Sequence, residues 1–188
     1  MSDSTSTPDG LPECATYYLS PLIRWTILAL YLGLTAPLPV LSQVTQAPTP
    51  PIWLAIAIGL GGIVLFGVLS ERVTVSERNI QIYYPAWMPK WLRSGWSLEW
   101  AQVSELKARS TGQGGLVYYL VTESKEAYLV PMRIAGFKQL MAIVQQRTGL
   151  DTSSVRPFAQ PWMYSVLLAF TLLLLAADGW VIWVGTTA

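Results

Sequence analysis

The sequence predicts an α+β membrane protein. Three transmembrane helices, a hairpin and a C-terminal span, carry a small antiparallel β domain closed by one helix. Three observations predict it. The chain has three apolar stretches, 25–42, 52–70 and 162–184, each close to the roughly 20 helical residues needed to cross a hydrocarbon layer. The segment between the second and third stretches alternates apolar and polar residues, the period of half-buried strands. Near its end that period changes to helical spacing.

Composition narrows the chemistry. Of 188 residues, 52% are hydrophobic, and the mean hydropathy is +0.40. There is no histidine, which removes Ser-His-Asp and Cys-His catalysis, His-ligated haem and mixed His sites for zinc or copper. The single cysteine, Cys14, cannot form an internal disulfide, a CxxC pair or an iron–sulfur site. No apolar region precedes Leu11-Pro-Glu-Cys14, so lipidation of that thiol is not expected. The expectation is a protein that is not an enzyme, with no catalytic, metal or cofactor-binding residue and no cofactor.

The chain divides into a tail (1–21), a two-helix hairpin (22–70), the β domain (71–158) and the final span (159–188). The tail, rich in Ser, Thr, Asp, Gly and Pro at its start, is expected to be disordered. Pro37 and Pro39 interrupt the first span near its far end, where a kink is expected. In the second span Ala55 and Gly59 lie four apart with Gly62 on a neighbouring face. Small residues at that spacing let helices approach closely in lipid, so these three are expected to pack onto the first span. The loop 43–51 and the tail 185–188 have no Lys or Arg, whereas Arg24 caps the first span and the β domain holds eleven. The positive-inside bias therefore places the N-terminus and the domain on the cytoplasmic or stromal side and the C-terminus opposite. Against seven acids the eleven bases give the domain a net +4. That balance suits an anionic bilayer face and is too sparse for nucleic acid.

Within the domain, 72–75 and 80–84 read as a hairpin, 98–108 as one longer strand, and 116–122 with 127–131 as a second hairpin. Phe137, Leu140, Met141 and Val144 then fall on one helix face, and Gly149 ends that helix as a left-handed cap.

These elements resemble a known family. Residues 72–84, the Leu98-Glu-Trp100-Ala-Gln-Val103 element and Tyr128-Leu-Val-Pro131 followed by the 137–149 helix are similar to bacterial pleckstrin-homology-like domains, which are typically fused to membrane helices. The resemblance implies a small barrel of seven strands and a closing helix. It implies no phosphoinositide binding here, since the first hairpin holds only Arg78 among the expected bases. The hairpin-plus-domain layout also resembles the photosystem I assembly factors of plastids and cyanobacteria. That similarity implies assistance to a photosynthetic complex in a thylakoid membrane, although those factors lack the third span.

The stretch 85–96 is the densest candidate contact surface. It gathers Trp87, Met88, Trp91, Leu92 and Trp96 beside Lys90 and Arg93, with no acid. Read as a helix, Trp87, Met88, Trp91 and Leu92 share one face. Trp favours the membrane interface and Lys or Arg complements anionic headgroups, while Trp and Arg also favour protein interfaces. The bland alternative is that the rings cap the core. Asp178, the acid inside an apolar span, is a candidate intramembrane polar residue, read first as solvated at the far interface beside Trp180 and Trp183. Glu99 and Glu105 are read as exposed acids of one strand. Together these points lead to an expectation of a membrane-anchored scaffold whose partners are the bilayer and a membrane protein complex. The alternatives are a small transporter or enzyme subunit using Asp178, or an anionic-lipid sensor.

Overall fold

The computed structural model describes residues 14–112, 115–155 and 161–187. In chain order its elements are β1 (Ala15–Tyr18), α1 (Pro21–Thr35), α2 (Pro37–Val44), α3 (Pro51–Val68), β2 (Arg72–Val75), β3 (Asn79–Tyr83), β4 (Ser97–Glu99), a 3-10 turn (Trp100–Gln102), β5 (Val103–Ser110), β6 (Leu116–Thr122), β7 (Ala127–Leu129), α4 (Phe137–Thr148) and α5 (Pro161–Thr187). They form two compact units. One comprises Met1–Ser20 with Ser70–Ala159, the other Pro21–Leu69 with Gln160–Ala188. The protein is an α+β membrane protein with two antiparallel sheets and three stretches of helix long and apolar enough to cross a membrane.

In the helical unit those stretches are Pro21–Val44, Pro51–Val68 and Trp162–Val184, with mean hydropathies of 1.6, 2.2 and 2.1. The first is broken where the prolines predict: α1 stops at Thr35, Ala36 is a turn and Pro37 opens α2. Proline suits a helix's first turn because the N–H it lacks would have no intrahelical acceptor there. The α1–α3 packing uses small residues, but not the full expected set. Tyr31 donates its hydroxyl to the Ile58 carbonyl at 2.7 Å. A Cβ on Gly61 would press on that hydroxyl, and one on Gly62 would lie 3.5 Å from the ring. Gly59 meets nothing within 4 Å and Ala55 is exposed. Of the predicted trio, Gly62 alone lies against the first span. Helical rotation decides this, because Tyr31 selects the face carrying Gly61 and Gly62 and turns Ala55 and Gly59 away.

In the strand unit, β1 to β4 form one sheet in sequence order, and β5 to β7 form the other. Residues 15–18 of the tail are therefore not disordered; Ala15 to Tyr18 pair with Val75 to Arg72. Residues 1–13 lie outside the described residues. The predicted hairpins 72–84 and 116–131 appear as β2–β3 and β6–β7. The single strand expected over 98–108 is two. At Trp100–Gln102 the chain makes a 3-10 turn and passes from the first sheet to the second.

Alternation explains the core. Val73, Val75, Ile80, Ile82 and Leu98 point inward from the first sheet, and Tyr118 and Leu120 from the second. Helix α4 covers them with Phe137, Leu140, Met141 and Val144, the four residues of the predicted face, all buried. Gly149 caps it at φ 72°, a conformation that disfavours any residue with a Cβ. Trp100 fills the corner between the sheets, buried, with its indole N–H donated to the Ser76 carbonyl at 2.9 Å.

Candidate functional site

The 85–96 stretch is not a helix. It is two consecutive turns, Met88 N–H to the Pro85 carbonyl at 2.9 Å, then Leu92 and Arg93 N–H to the Pro89 carbonyl at 3.0 and 3.2 Å. Pro85 and Pro89 each open a turn, as expected of a residue with φ preset near −65°. This geometry separates side chains that a helix would have aligned. Met88 is buried, and Trp96 packs on the core with its ring 5.2 Å from that of Tyr128. Leu92 is half-buried. Trp87 and Trp91 remain 52% and 84% exposed, with Lys90 and Arg93 also exposed. The capping role suggested for all the rings thus holds for Trp96 and is joined by Met88, while two tryptophans and two cations are left at the surface.

Sheet register locates this loop. Arg72 pairs with Tyr18 on one side and with Tyr83 on the other. The sheet end carrying Tyr18, Arg72 and Tyr83 is the end from which the chain continues, within three residues, to α1 and back from α3. The loop leaves from Tyr83 at that same end. Its final residues run back along β3, with Ile82 N–H donating to the Trp96 carbonyl at 2.8 Å. Gly95 permits this approach: a Cβ there would collide with the Ile82 carbonyl.

A charged group sits at the loop's base. Tyr84 donates its hydroxyl to Glu71 at 3.0 Å, and the Arg93 guanidinium lies 6.0 Å from the centre of the Tyr84 ring. Burial raises the Glu71 pKa above its ordinary value, opposed by the Tyr84 hydrogen bond and by the charges of Arg93 and Arg133. Burial and the Glu71 carboxylate together push Tyr84 up to about 12, with Arg93 opposing. Beside this group the loop and β3 enclose a concavity of about 510 Å³, whose lining includes Tyr83, Tyr84, Lys90, Arg93, Ser94 and Ser97.

A second concavity, about 560 Å³, lies on the outer face of β5–β6. Its cations Lys107, Arg109 and Lys125 are offset by Glu105 and Glu123, and Glu105 is paired with Lys107 at 2.9 Å. Glu99 and Glu105 do not share a strand, since Glu99 ends β4 and Glu105 lies in β5. Asp178 is half-buried on α5, and its Oδ2 is shielded with no hydrogen-bond partner among the described residues. Trp180 and Trp183 lie together near it in sequence, 5.5 Å between ring centres.

Over 159 residues the chain is 55% identical to "Uncharacterized protein slr0269" of Synechocystis sp. (strain ATCC 27184 / PCC 6803 / Kazusa), covering 83% of this chain and 79% of that protein. The chain belongs to that protein's family. No family model and no solved structure matches the chain. The fold and the site therefore rest on this chain's own residues.

The structure adds two features that sequence reasoning missed. One is β1, whose alternating Ala-Thr-Tyr-Tyr pattern is a strand signal only four residues long. The other is the Glu71–Tyr84 pair, for which adjacency in sequence offered no signal. Register creates it by placing Arg72 opposite Tyr83.

Proposed function

We propose that the protein is a membrane-anchored, non-catalytic interaction module whose Trp87–Lys90–Trp91–Arg93 loop contacts the membrane surface or a membrane-protein complex. One observation carries the reading. Two exposed tryptophans and two exposed cations project from the sheet end that is tied, through Tyr18–Pro21 and Val68–Arg72, to apolar helices. A bilayer surface favours both an amphipathic ring and a positive charge. The stretch that resembles the pleckstrin-like domains holds six described strands, β2 to β7, and one closing helix, one strand fewer than that resemblance implies. The positive-inside bias supports a cytoplasmic or stromal placement of the strand unit. The cyanobacterial relative supports a plasma or thylakoid membrane, and a scaffold for assembling or maintaining a complex there, photosynthetic complexes included.

The test is affinity purification of the tagged full chain from its host in mild detergent, beside a Trp87→Ala/Trp91→Ala variant. The expected result is a co-purifying membrane complex that the variant loses. Recovery of the wild-type chain alone would overturn the reading of the loop as a contact for a membrane-protein complex.

The unpartnered Asp178 Oδ2 favours a second reading, a small transporter or enzyme subunit using that carboxyl. Asp178→Asn would then abolish a host phenotype that deletion also abolishes, while the protein stays folded and in the membrane. Full complementation by that variant would remove this reading.

A further inference from the structure

We propose that the concavity between β3 and the 85–95 loop is a binding site for the anionic headgroup of a membrane lipid, gripped by Lys90 and Arg93. The inference deepens the reading of the loop as a membrane-surface contact and rests on it.

Four observations carry it. The first is charge of a single sign: Lys90 and Arg93 line a space of about 510 Å³, and no acid is among the described residues that line it. The concavity on β5–β6 is of similar size but mixes both signs, so the difference is one of composition. Second, the other polar side chains that line it include three hydroxyls and one amide, from Tyr83, Ser94, Ser97 and Gln81, which donate to phosphate oxygens at no charge cost. Third, Gly95 leaves the floor of the concavity without a side chain, because nothing larger fits beside the Ile82 carbonyl. Fourth, the loop that supplies both cations also carries Trp91 and Trp87, 84% and 52% exposed. An indole at the interface packs on acyl chains and glycerol while its N–H stays hydrated. A soluble anion would use the cations and leave these rings in water. A lipid uses both, and for that reason the occupant is a lipid.

The cations are held as well as present. The two turns opened by Pro85 and Pro89 fix the spacing of Lys90 and Arg93, and the Tyr84 ring beneath Arg93 orients its guanidinium. The Glu71 carboxylate attracts that same guanidinium, which ties Arg93 to the base of the loop.

The experiment uses the full chain in neutral-detergent micelles, titrated with dioleoylphosphatidylglycerol or dioleoylphosphatidylcholine, with bound lipid counted by native mass spectrometry. A basic residue at an anionic surface is worth roughly a fivefold change in affinity. Phosphatidylglycerol is therefore expected to bind about 25-fold more tightly than phosphatidylcholine, and Lys90→Ala/Arg93→Ala is expected to erase that preference. Lys107→Ala/Arg109→Ala, on the other sheet, should keep it. Lys90→Glu alone changes an exposed side chain and guards against misfolding as the cause; it too should lose the preference, with an unchanged melting transition.

Equal binding of the two lipids overturns the inference, as does a double variant that still prefers phosphatidylglycerol. Glycerol 3-phosphate filling the site as tightly as the lipid overturns it in favour of a soluble anion. If lipid preference is absent while co-purification of a complex depends on Lys90 and Arg93, the cations serve a protein; the lipid site fails and the interaction module stands. A wild-type chain that prefers phosphatidylglycerol but co-purifies with no complex removes the protein-complex reading and leaves the lipid site standing.

Discussion

The two units handle the same kind of residue in opposite ways. In the strand unit Val73, Ile80, Leu120 and Val144 are fully buried. In the helical unit Leu60, Phe170, Leu173 and Val181 are 60 to 66% exposed, and only 6 to 11% of each span is buried. What the helices bury is mostly small or hydroxylic, namely Gly33, Ser42 and Gly67, with Thr26 and Thr171 at 0 and 1%, beside one large apolar residue, Ile23. Gly33 sits against Leu174 and Leu175, and Thr171 returns its hydroxyl to the Leu167 carbonyl at 2.7 Å. Water drives large apolar side chains inward because removing their area from it is favourable. Hydrocarbon gives no such drive, so helices associate through close approach of their backbones at small residues. The contrast says which solvent each unit was built for.

The largest effect that would break this comparison is a truncation made in both units. Leu120→Ala, in the strand core, should cost about 2–5 kcal/mol of unfolding free energy. Leu173→Ala, facing outward on α5, should stay within about 0.5 kcal/mol. Chemical denaturation in micelles, followed by near-ultraviolet circular dichroism, reads both. Equal losses would mean that the exposed helical surface is covered by protein.

A smaller effect sharpens the account of helix packing. Gly61→Leu should displace Tyr31 and release its bond to Ile58, costing about 1–3 kcal/mol by overpacking. Gly59→Leu, opening onto free space, should be nearly neutral. Titration with a denaturing detergent compares the two, and similar midpoints would contradict the Tyr31 contact.

The smallest effect lies at the base of the loop and depends on pH. Both shifted groups are raised, so the folded state binds protons more tightly than the unfolded chain and stability falls as pH rises. Tyr84 contributes fully below its ordinary 10.0, and that contribution disappears as pH passes about 12. Glu71 contributes fully below its ordinary 4.5 and loses that share as pH climbs through its raised value. Tyr84→Phe should cost about 1 kcal/mol at neutral pH, the net worth of one hydrogen bond, and should flatten the fall in stability between pH 10 and 12. Melting temperatures across that range test it. An unchanged slope in the variant would assign the alkaline transition to other tyrosines.

Much of the architecture is legible in the sequence, because it is written in local periodicity. The three spans, the proline break before α2, the strands β2, β3 and β6 and the buried face of α4 each follow from the spacing of neighbouring residues. The candidate loop was legible as a composition, aromatic and basic without acids. Its conformation was not, because periodicity is a poor guide to a stretch that holds Pro85 and Pro89. Reading it as a helix put Met88 beside Trp87 on an outer face, whereas two turns bury one and expose the other.

The sequence alone determined that this is a membrane protein with a strand-rich unit between its second and third spans, since hydropathy and alternation depend only on residues close along the chain. Only tertiary structure decided that Ala15–Tyr18 is an edge strand, that the chain changes sheets at Trp100, and that Tyr31 chooses Gly61 and Gly62 over Gly59. It alone brought Glu71, Tyr84 and Arg93 together at the foot of the loop. Those features join residues far apart in sequence, where the energy comes from shape and register between elements and no local pattern encodes it.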